Sequence, residues 1–321
     1  MTAGARRRLL FVAANPSVDR LYEVDGFAVG AIQRPLSTTT VPGGKGLNAA
    51  RAAAALGGDV TAVALVGGRS GDWIVDRLAV LAMDVRAIRA TAETRTCVSI
   101  LDRSTGALTE VYEPGAAIRP SDWEAFEAAI ATELGRGDVA AVTISGSLPP
   151  GAPSDGFGRL ARLAGGAPRP VPFFADTYGP ALSAVLVERP ALVKVNASEA
   201  GEATGVEVTD ARSAAVAAER LLAAGAAAVV VTLGVDGAVV VGAGGRARLV
   251  APAMVGAYPV GSGDAFLGGM AVGVGRGDDV IEAARLGLAA GIANALVPGA
   301  GELDPDAIEP LRQAILQRVL P

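Results

Sequence analysis

The chain has 321 residues and a formal net charge of -5 at pH 7, and 51% of its residues are hydrophobic. This length and composition can fill a sizeable core, whereas the acidic balance argues against a nucleic-acid groove, which needs clustered lysine and arginine. The sequence has one cysteine and no histidine, which excludes an internal disulfide, a multi-thiolate zinc site and every mechanism with a histidine base. We therefore expect a small-molecule ligand and a general base that is Asp, Glu, Lys or Tyr.

No targeting or membrane-spanning segment is expected from the sequence. Arg6, Arg7 and Arg8 precede an apolar stretch at 9–14 that is too short for a signal peptide. The longest apolar runs, such as 226–233, fall well short of the roughly 20 residues that cross a bilayer. The sequence therefore predicts a cytoplasmic protein without a membrane partner.

Short strand-like segments alternate with alanine-rich segments of helical length along most of the chain. Helices between buried strands are typical of an α/β sandwich with a largely parallel central sheet, and we predict that fold class. The segments predicted as buried strands are 9–13, 60–66, 139–144, 171–175, 192–195 and 228–233.

Two stretches break this alternation because neither contains a helix-like segment. The extended-looking segments are 21–24, 35–41, 96–101 and 108–112. An isolated small sheet is marginal in water, so we expect these strands to combine into one β lid that covers a site or pairs with another subunit. The lid is thus assigned to 19–42 and 94–113, and the α/β core to 1–18, 43–93 and 114–321.

A glycine-rich turn at 261–264 precedes a segment of helical length. The first N–H groups of a helix lack intrahelical partners and lie at its positive end, so phosphate oxygens bind there readily. Gly261 and Gly263 would allow close backbone approach, and Asp264 would lie within reach of a hydroxyl that approaches the phosphate. Taken alone, the turn is explained more simply as an ordinary loop in which Asp264 caps the helix.

A second glycine cluster, at 43–46, leads directly into an alanine-rich helix that carries Asn48 near its start. The cluster gathers backbone amides, the cation Lys45 and a carboxamide. It is not a Walker A loop, because Gly46 and Leu47 follow the lysine where that motif requires Ser or Thr. A plain turn before a solvated first helical turn fits the same residues equally well.

Asn196 and Glu199 follow the predicted strand 192–195 and share one face of a helical turn. Both side chains could therefore reach one hydrated magnesium ion. A capping box, in which Asn196 caps the helix and Glu199 is its partner, explains the same spacing.

Two further loops directly follow predicted strands. The segment 232–238 lies between two apolar strands and contains Asp-Gly, which indicates a hairpin turn. Ser145 follows the strand 139–144, at the position where ligands of open α/β sheets bind. The prolines of 145–151 also suit a plain rigid loop.

The order of these motifs resembles the ribokinase-like PfkB carbohydrate kinases and, within them, the phosphosugar branch of 1-phosphofructokinases and tagatose-6-phosphate kinases. The resemblance extends from residue 9 to residue 294. It rests on Asn-Pro-Ser-x-Asp at 15–19, Pro-Gly-Gly-Lys-Gly-x-Asn at 42–48, Thr-Arg at 94–95, Ser-Gly-Ser-Leu-Pro-Pro-Gly at 145–151, Lys-x-Asn-x-x-Glu at 194–199, Thr-Leu-Gly-x-x-Gly-Ala at 232–238 and Gly-Ser-Gly-Asp at 261–264.

The resemblance implies a three-layer α/β/α sandwich with a mostly parallel central sheet and a small β-sheet lid. It also implies a kinase that uses ATP and Mg²⁺ to phosphorylate a primary hydroxyl of a ketohexose monophosphate, giving the bisphosphate. Fructose 1-phosphate, tagatose 6-phosphate and fructose 6-phosphate are the candidate acceptors. Lids of this family pair between subunits, so a homodimer through the β lid is implied.

Two alternatives stay open. The same fold could phosphorylate an unphosphorylated sugar or a nucleoside, or the chain could be a regulator that binds sugar phosphate or nucleotide without catalysis. Arginines at the far end of the acceptor favour a phosphorylated sugar, because a neutral acceptor gives no reason for them.

By the resemblance, Asp264 is the base that takes the proton of the attacking hydroxyl. Gly261, Ser262 and Gly263 would form the anion hole for the transferred phosphoryl group, and Glu199 would hold Mg²⁺ through water. The residues assigned to the nucleotide are Lys194, Asn196, Thr232, Gly234, Gly237 and Asn294.

On the acceptor side, Arg34, Lys45 and Arg95 are the candidates for the phosphate already present, since a planar guanidinium clamps phosphate in a bidentate way. Arg34 lies in the predicted lid and could serve the site of a partner subunit. Tyr258 stands where some relatives carry an acidic residue, which leaves a monovalent-cation site in question. Asp19, Gly43, Gly44 and Asn48 match positions that hold sugar hydroxyls, and Ser145 is also assigned to substrate binding.

Overall fold

The computed structural model describes residues 8–320, so the sequence predictions for 1–7 lie outside the described residues. The strands are β1 (Arg8–Ala13), β2 (Ser17–Val24), β3 (Ser37–Gly43), β4 (Val60–Val66), β5 (Asp84–Arg89), β6 (Arg95–Asp102), β7 (Leu108–Tyr112), β8 (Val139–Ser145), β9 (Phe173–Asp176), β10 (Leu192–Asn196), β11 (Ala228–Thr232), β12 (Ala238–Gly242), β13 (Gly245–Val250) and β14 (Leu316–Arg318). The helices are α1 (Lys45–Ala55), α2 (Gly68–Val80), α3 (Pro120–Gly135), α4 (Gly156–Gly165), α5 (Gly179–Val187), α6 (Ala197–Thr204), α7 (Ala211–Ala223), α8 (Ser262–Arg276), α9 (Val280–Ala295) and α10 (Ile308–Ala314).

The central sheet has ten strands in the order β14-β13-β12-β11-β10-β9-β8-β1-β4-β5. Pairing is parallel from β11 through β5, and antiparallel from β11 to β14. All six predicted buried strands are in this sheet, which confirms the α/β fold class. The edge strands β5 and β14 were not predicted, because neither has a continuous apolar run.

Helices cover both faces of the sheet and produce three layers. Successive residues of a strand face opposite sides, so Phe11 of β1 packs with Leu47 of α1 and Phe266 of α8 in one cluster. Val12 belongs to a separate cluster with Phe126 of α3. A third cluster packs α7 against β10, β11 and β12.

The four remaining strands form a separate small sheet in the order β3-β2-β6-β7. The central pair, β2 and β6, is parallel, and each has an antiparallel partner at its outer edge. The four extended segments therefore do combine into one sheet, which we call the lid. β2 is longer than predicted because it begins at Ser17, whereas β3 keeps the predicted length but is shifted and ends at Gly43. The residue limits of the two domains stay a prediction.

The parallel strands bring four polar positions to one edge of the central sheet. The carboxyl ends of neighbouring parallel strands meet at the same edge, and β1, β8, β9 and β10 lead there to Asn15, Ser145, Asp176 and Asn196. Across residues 8–320, none of the helices combines the length and apolar character needed to span a bilayer.

Candidate active site

The turn at 261–264 does begin a helix, but Asp264 does not cap it. The N-cap is Gly261, with φ of 84°, and α8 starts at Ser262. A Cβ on Gly261 would lie 2.7 Å from the Cα of Ala300, so both the backbone conformation and the close contact favour glycine. Asp264 lies in the first helical turn, where its carboxylate accepts a hydrogen bond from the Asn48 amide at 3.0 Å. The interpretation of Asp264 as an N-cap is therefore wrong.

The Asp264 carboxyl is buried, with a residue exposure of 6%. Burial, with a smaller contribution from the charge of Asp176, raises its pKa from 3.8 to about 7, while Lys45, Lys194 and the Asn48 hydrogen bond oppose the rise. A general base works best when its pKa is near the operating pH. The environment of Asp264 thus suits a group that accepts a proton near neutral pH.

Two lysines and two acids form a charged cluster beside Asp264. The Lys194 ammonium lies 2.7 Å from one oxygen of Asp176, and the Lys45 ammonium lies 3.6 Å from the other. Lys45 also lies 3.5 Å from Glu199. Burial alone would raise the pKa of Asp176, but the two lysines reverse this effect and hold it below its ordinary value. The two ammonium and two carboxylate charges of the cluster balance, and the Lys45 ammonium is close enough to Asp264 to favour its ionised form.

Asp176 was missed in the sequence. It follows three buried apolar residues, 173–175, and ends β9 at the ligand-binding edge of the sheet. A charged residue directly after a buried strand was the available signal. It was not used because the strand was predicted to end at residue 175.

The predicted sugar-binding residues meet at the junction of the lid and α1. Asp19 on β2 accepts a hydrogen bond from the Ser17 hydroxyl at 2.5 Å and from the Gly44 N–H at 3.4 Å. A Cβ on Gly43 would lie 2.0 Å from the Asp19 carboxyl carbon, so glycine is required for this approach. Burial raises the pKa of Asp19 despite these hydrogen bonds. Ser145 is the last residue of β8 and is buried. Its hydroxyl has no hydrogen-bond partner within residues 8–320.

The three cations assigned to the acceptor phosphate lie in different surroundings. Arg34 is exposed on the connection between β2 and β3. Arg95 donates to the carbonyl oxygens of Asn15 and Glu113, both at 3.2 Å, while Lys45 belongs to the charged cluster. The structure thus does not gather them around one point, and their role at the phosphate stays a prediction.

A cleft separates the lid from the core. Its lining includes Asp19, Val41 and Tyr112 from the lid, and Tyr258 and Ala300 from the core. The Tyr258 hydroxyl donates to Glu23 of β2 at 2.5 Å, so the loop that precedes α8 is tied directly to the lid.

Some of the residues assigned to the nucleotide line a second cavity. A groove of about 380 Å³ is lined by α6, the start of α7 and the 3-10 turn at Gly234–Asp236. Asn196, Thr232 and Gly234 contribute to its lining, together with Arg248 of β13, which sequence reasoning missed. Gly237 has φ of 94°, and a Cβ there would lie 1.9 Å from the carbonyl oxygen of Leu249.

Asn196 and Glu199 form the capping box that their spacing predicts. The Asn196 side chain accepts from the Glu199 N–H, and the Glu199 carboxylate accepts from the Asn196 N–H, both at 2.9 Å. The other Glu199 oxygen faces Lys45. This arrangement fixes the Glu199 carboxylate beside the cluster and leaves lone pairs that can accept from water.

Lys194 and Asn294 do not line the groove. Lys194 is buried against Asp176, and its ammonium would lie 3.3 Å from a Cβ on Gly263. Asn294 is fully buried, with its amide hydrogen-bonded to backbone groups at Val260 and Gly301. The end of α9 packs behind the turn that begins α8, and the role of Asn294 at the nucleotide stays a prediction.

Sequence comparisons identify the family of the chain. A family model described as pfkB family carbohydrate kinase matches residues 12–307. The chain is 34% identical to 1-phosphofructokinase of Rhodobacter capsulatus over 316 residues, which cover 98% of this chain and 96% of that protein. It is 29% identical to tagatose-6-phosphate kinase of Staphylococcus epidermidis over 310 residues, covering 96% of this chain and 98% of that protein.

Solved structures share the whole fold. Phosphofructokinase-2 of Escherichia coli, in its tetrameric inhibited form, matches with a TM-score of 0.85 and 28% identity, covering 96% of this chain and 98% of that one. A possible 1-phosphofructokinase of Thermotoga maritima matches with a TM-score of 0.87 and 25% identity, covering 98% and 100% of the two chains. The chain is therefore a member of the PfkB family of carbohydrate kinases.

Proposed function

We propose that the protein transfers the γ-phosphoryl group of ATP to a primary hydroxyl of a ketohexose monophosphate and releases the bisphosphate. The observation that carries this proposal is the placement of Asp264, a buried carboxylate with a pKa of about 7, in the first turn of a helix whose N-terminus can hold a phosphoryl group. The names of the two curated relatives, 1-phosphofructokinase and tagatose-6-phosphate kinase, support a phosphorylated acceptor.

The reaction follows from these positions. The acceptor lies in the cleft with its hydroxyls toward Asp19 and Asn48, and Asp264 takes the proton of the attacking hydroxyl. The hydroxyl oxygen bonds to the γ-phosphorus as the bond to the bridging oxygen breaks, and ADP leaves with that oxygen. The N–H groups at 261–264 and the ammonium of Lys45 stabilise the charge on the transferred oxygens, which is most of what phosphoryl transfer requires.

Magnesium fits this site as a partner of the nucleotide. No group of three or more acidic or cysteine side chains able to hold a metal occurs within residues 8–320. Mg²⁺ commonly uses one or two carboxylates together with substrate phosphates and water, and Glu199 offers such a carboxylate. When bound, the ion would neutralise charge on the nucleotide phosphates.

A screen of acceptors tests the proposal. ADP release would be measured with fructose 1-phosphate, tagatose 6-phosphate, fructose 6-phosphate, fructose and ribose, and we expect a phosphorylated ketohexose to have the highest kcat/KM. Faster turnover of a neutral sugar, unaffected by Arg95→Ala, would support the alternative acceptor class. Tight calorimetric binding of the ligands without turnover of any acceptor would instead identify a regulator.

We also propose a cytoplasmic homodimer that pairs through the lid. The edges of the lid sheet, β3 and β7, carry backbone groups available for pairing, and exposed apolar side chains of the lid include Val29, Ile32, Leu36, Val111 and Tyr112. Light scattering should give a dimeric mass for the wild type and a monomeric mass for a double Ile32→Asp, Val111→Lys variant. A monomeric wild type would contradict the proposal.

A further inference from the structure

The end of α9 contacts the turn that forms the anion hole. Asn294 has no exposed surface, and its side-chain oxygen accepts from the Gly301 N–H at 2.7 Å. Its side-chain nitrogen donates to the carbonyl oxygens of Val260 at 2.9 Å and Tyr258 at 3.3 Å. A backbone donor requires the oxygen and backbone carbonyls require the nitrogen, so these partners fix the orientation of the amide.

The segment 300–301 is packed between the anion-hole turn and α1. A Cβ on Gly261 would lie 2.7 Å from both the Ala300 Cα and the Gly301 nitrogen. On the opposite side, a Cβ on Gly301 would lie 2.7 Å from the Cα of Asn48, the residue that donates to Asp264. The segment is therefore in close contact with the anion-hole turn and with α1 at the same time.

Further buried contacts hold the same segment. Arg51 of α1 donates to the carbonyl oxygens of Ala300 and Pro42, and its guanidinium is almost completely buried. The Tyr258 N–H donates to the carbonyl oxygen of Ala295 at 3.0 Å. Asn294 is the one side chain among these that bonds to both the anion-hole turn and segment 300–301, so its amide sets their separation.

We propose that Asn294 is a positioning residue that acts through the backbone. Its side chain holds the anion-hole turn 260–263 against segment 300–301, and this contact keeps the N–H groups of the turn at the correct distance from Asp264 and the acceptor. This inference rests on the proposed kinase function and deepens it. It replaces the nucleotide contact predicted for Asn294 from the sequence. A misplacement of about 1 Å can reduce turnover by about 100-fold even when no ligand contact is lost.

Steady-state kinetics of Asn294→Asp and Asn294→Ala distinguish a positioning role of Asn294 from a direct contact with the nucleotide. Aspartate keeps the volume and the acceptor for Gly301 but, when ionised, cannot donate to Val260. We expect kcat to fall by about 10- to 100-fold in both variants, with KM for ATP within about threefold of the wild type. The control is Leu296→Ala, two residues further along and partly exposed, which should leave kcat unchanged.

Calorimetry with a non-hydrolysable ATP analogue and thermal unfolding complete the test. Nucleotide affinity near that of the wild type, in variants that unfold cooperatively, supports a positioning role. A loss of affinity that accounts for the whole loss of kcat/KM would overturn it, as would an unchanged kcat in both variants. If Asn294→Ala does not fold, the near-isosteric aspartate variant decides alone. A wild type without turnover would contradict the kinase function instead.

Discussion

Asp176, the last residue of β9, and Lys194 in the neighbouring parallel strand β10 form a buried ion pair of 2.7 Å, and each residue has less than 5% of its surface exposed. Because the register pairs β9 with β10, the two side chains reach the same edge of the sheet. Lys45 approaches the other oxygen of Asp176 from α1. The pair thus joins the sheet to the helix that carries Asn48.

Removal of Asp176 should destabilise the protein strongly. Asp176→Asn leaves the buried Lys194 without its counter-ion, and breaking a buried pair costs about 3–5 kcal/mol. Denaturant unfolding should show this loss, with a smaller loss in the double variant Asp176→Leu, Lys194→Met. The exposed pair of Arg246 and Glu219 is the control, since Glu219→Gln should change stability by about 1 kcal/mol or less. Equal effects at the two sites would contradict the importance of burial.

Asp264→Asn should abolish most turnover without loss of nucleotide binding. The amide cannot accept the hydroxyl proton, so we expect kcat to fall by about 100-fold or more. Asp264 does not line the groove proposed for the nucleotide, so calorimetry should show ATP affinity close to that of the wild type. Turnover near the wild-type level would show that Asp264 is not the base.

The pH dependence of kcat/KM should report the ionisation of Asp264. The base is active when deprotonated, so kcat/KM should rise with pH through about 7, the pKa that burial gives this carboxyl. Lys45 lowers that pKa, and Lys45→Met should therefore move the midpoint to higher pH. A remote cation, Arg246, provides the matched control, since Arg246→Met should not move it. A profile that is flat between pH 5 and pH 8, a range within about two units of that midpoint, would be inconsistent with this assignment.

The same carboxyl should limit stability above neutral pH. Its pKa is 3.8 without the fold and about 7 within it, so its contribution to stability is complete below pH 3.8 and is lost as the pH rises through about 7. Asp264→Asn should therefore unfold with a higher free energy than the wild type at pH 8, by on the order of 4 kcal/mol. The difference should shrink towards pH 4. A variant less stable than the wild type at pH 8 would refute the burial penalty.

Gly43→Ala should impair acceptor binding because its new methyl group would lie 2.0 Å from the Asp19 carboxyl carbon. Asp19 would have to move, so we expect KM for the acceptor to rise by about 10-fold or more, which corresponds to about 1.4 kcal/mol. Gly135→Ala is the control, as no atom lies within 4 Å of the position its Cβ would occupy. An unchanged acceptor KM would place the sugar elsewhere in the cleft.

Local patterns in the sequence predicted much of this structure. Apolar runs located the strands of the central sheet, and the i, i+3 spacing of Asn196 and Glu199 predicted their capping box. The edge strands β5 and β14 were not predicted, because none of their residues is buried and no apolar run marks them.

Contacts between distant residues were harder to predict. Asn48 and Asp264 are separated by 216 positions, and periodicity contains no information on which loops meet. Only the resemblance to a family placed both in one site. The same limit explains Asn294, whose side chain donates to Val260 in the anion-hole turn, 34 positions away.

The charged cluster also makes the protein unusually simple to label. Lys45 and Lys194 are the only lysines in the chain, and both contact Asp176. The Lys45 side chain is 39% exposed and that of Lys194 is 4% exposed. An amine-specific acylating reagent therefore has one accessible side-chain target in the folded protein, and that target is in the candidate active site. The mass of the modified protein would report occupancy of the site by any ligand that covers Lys45.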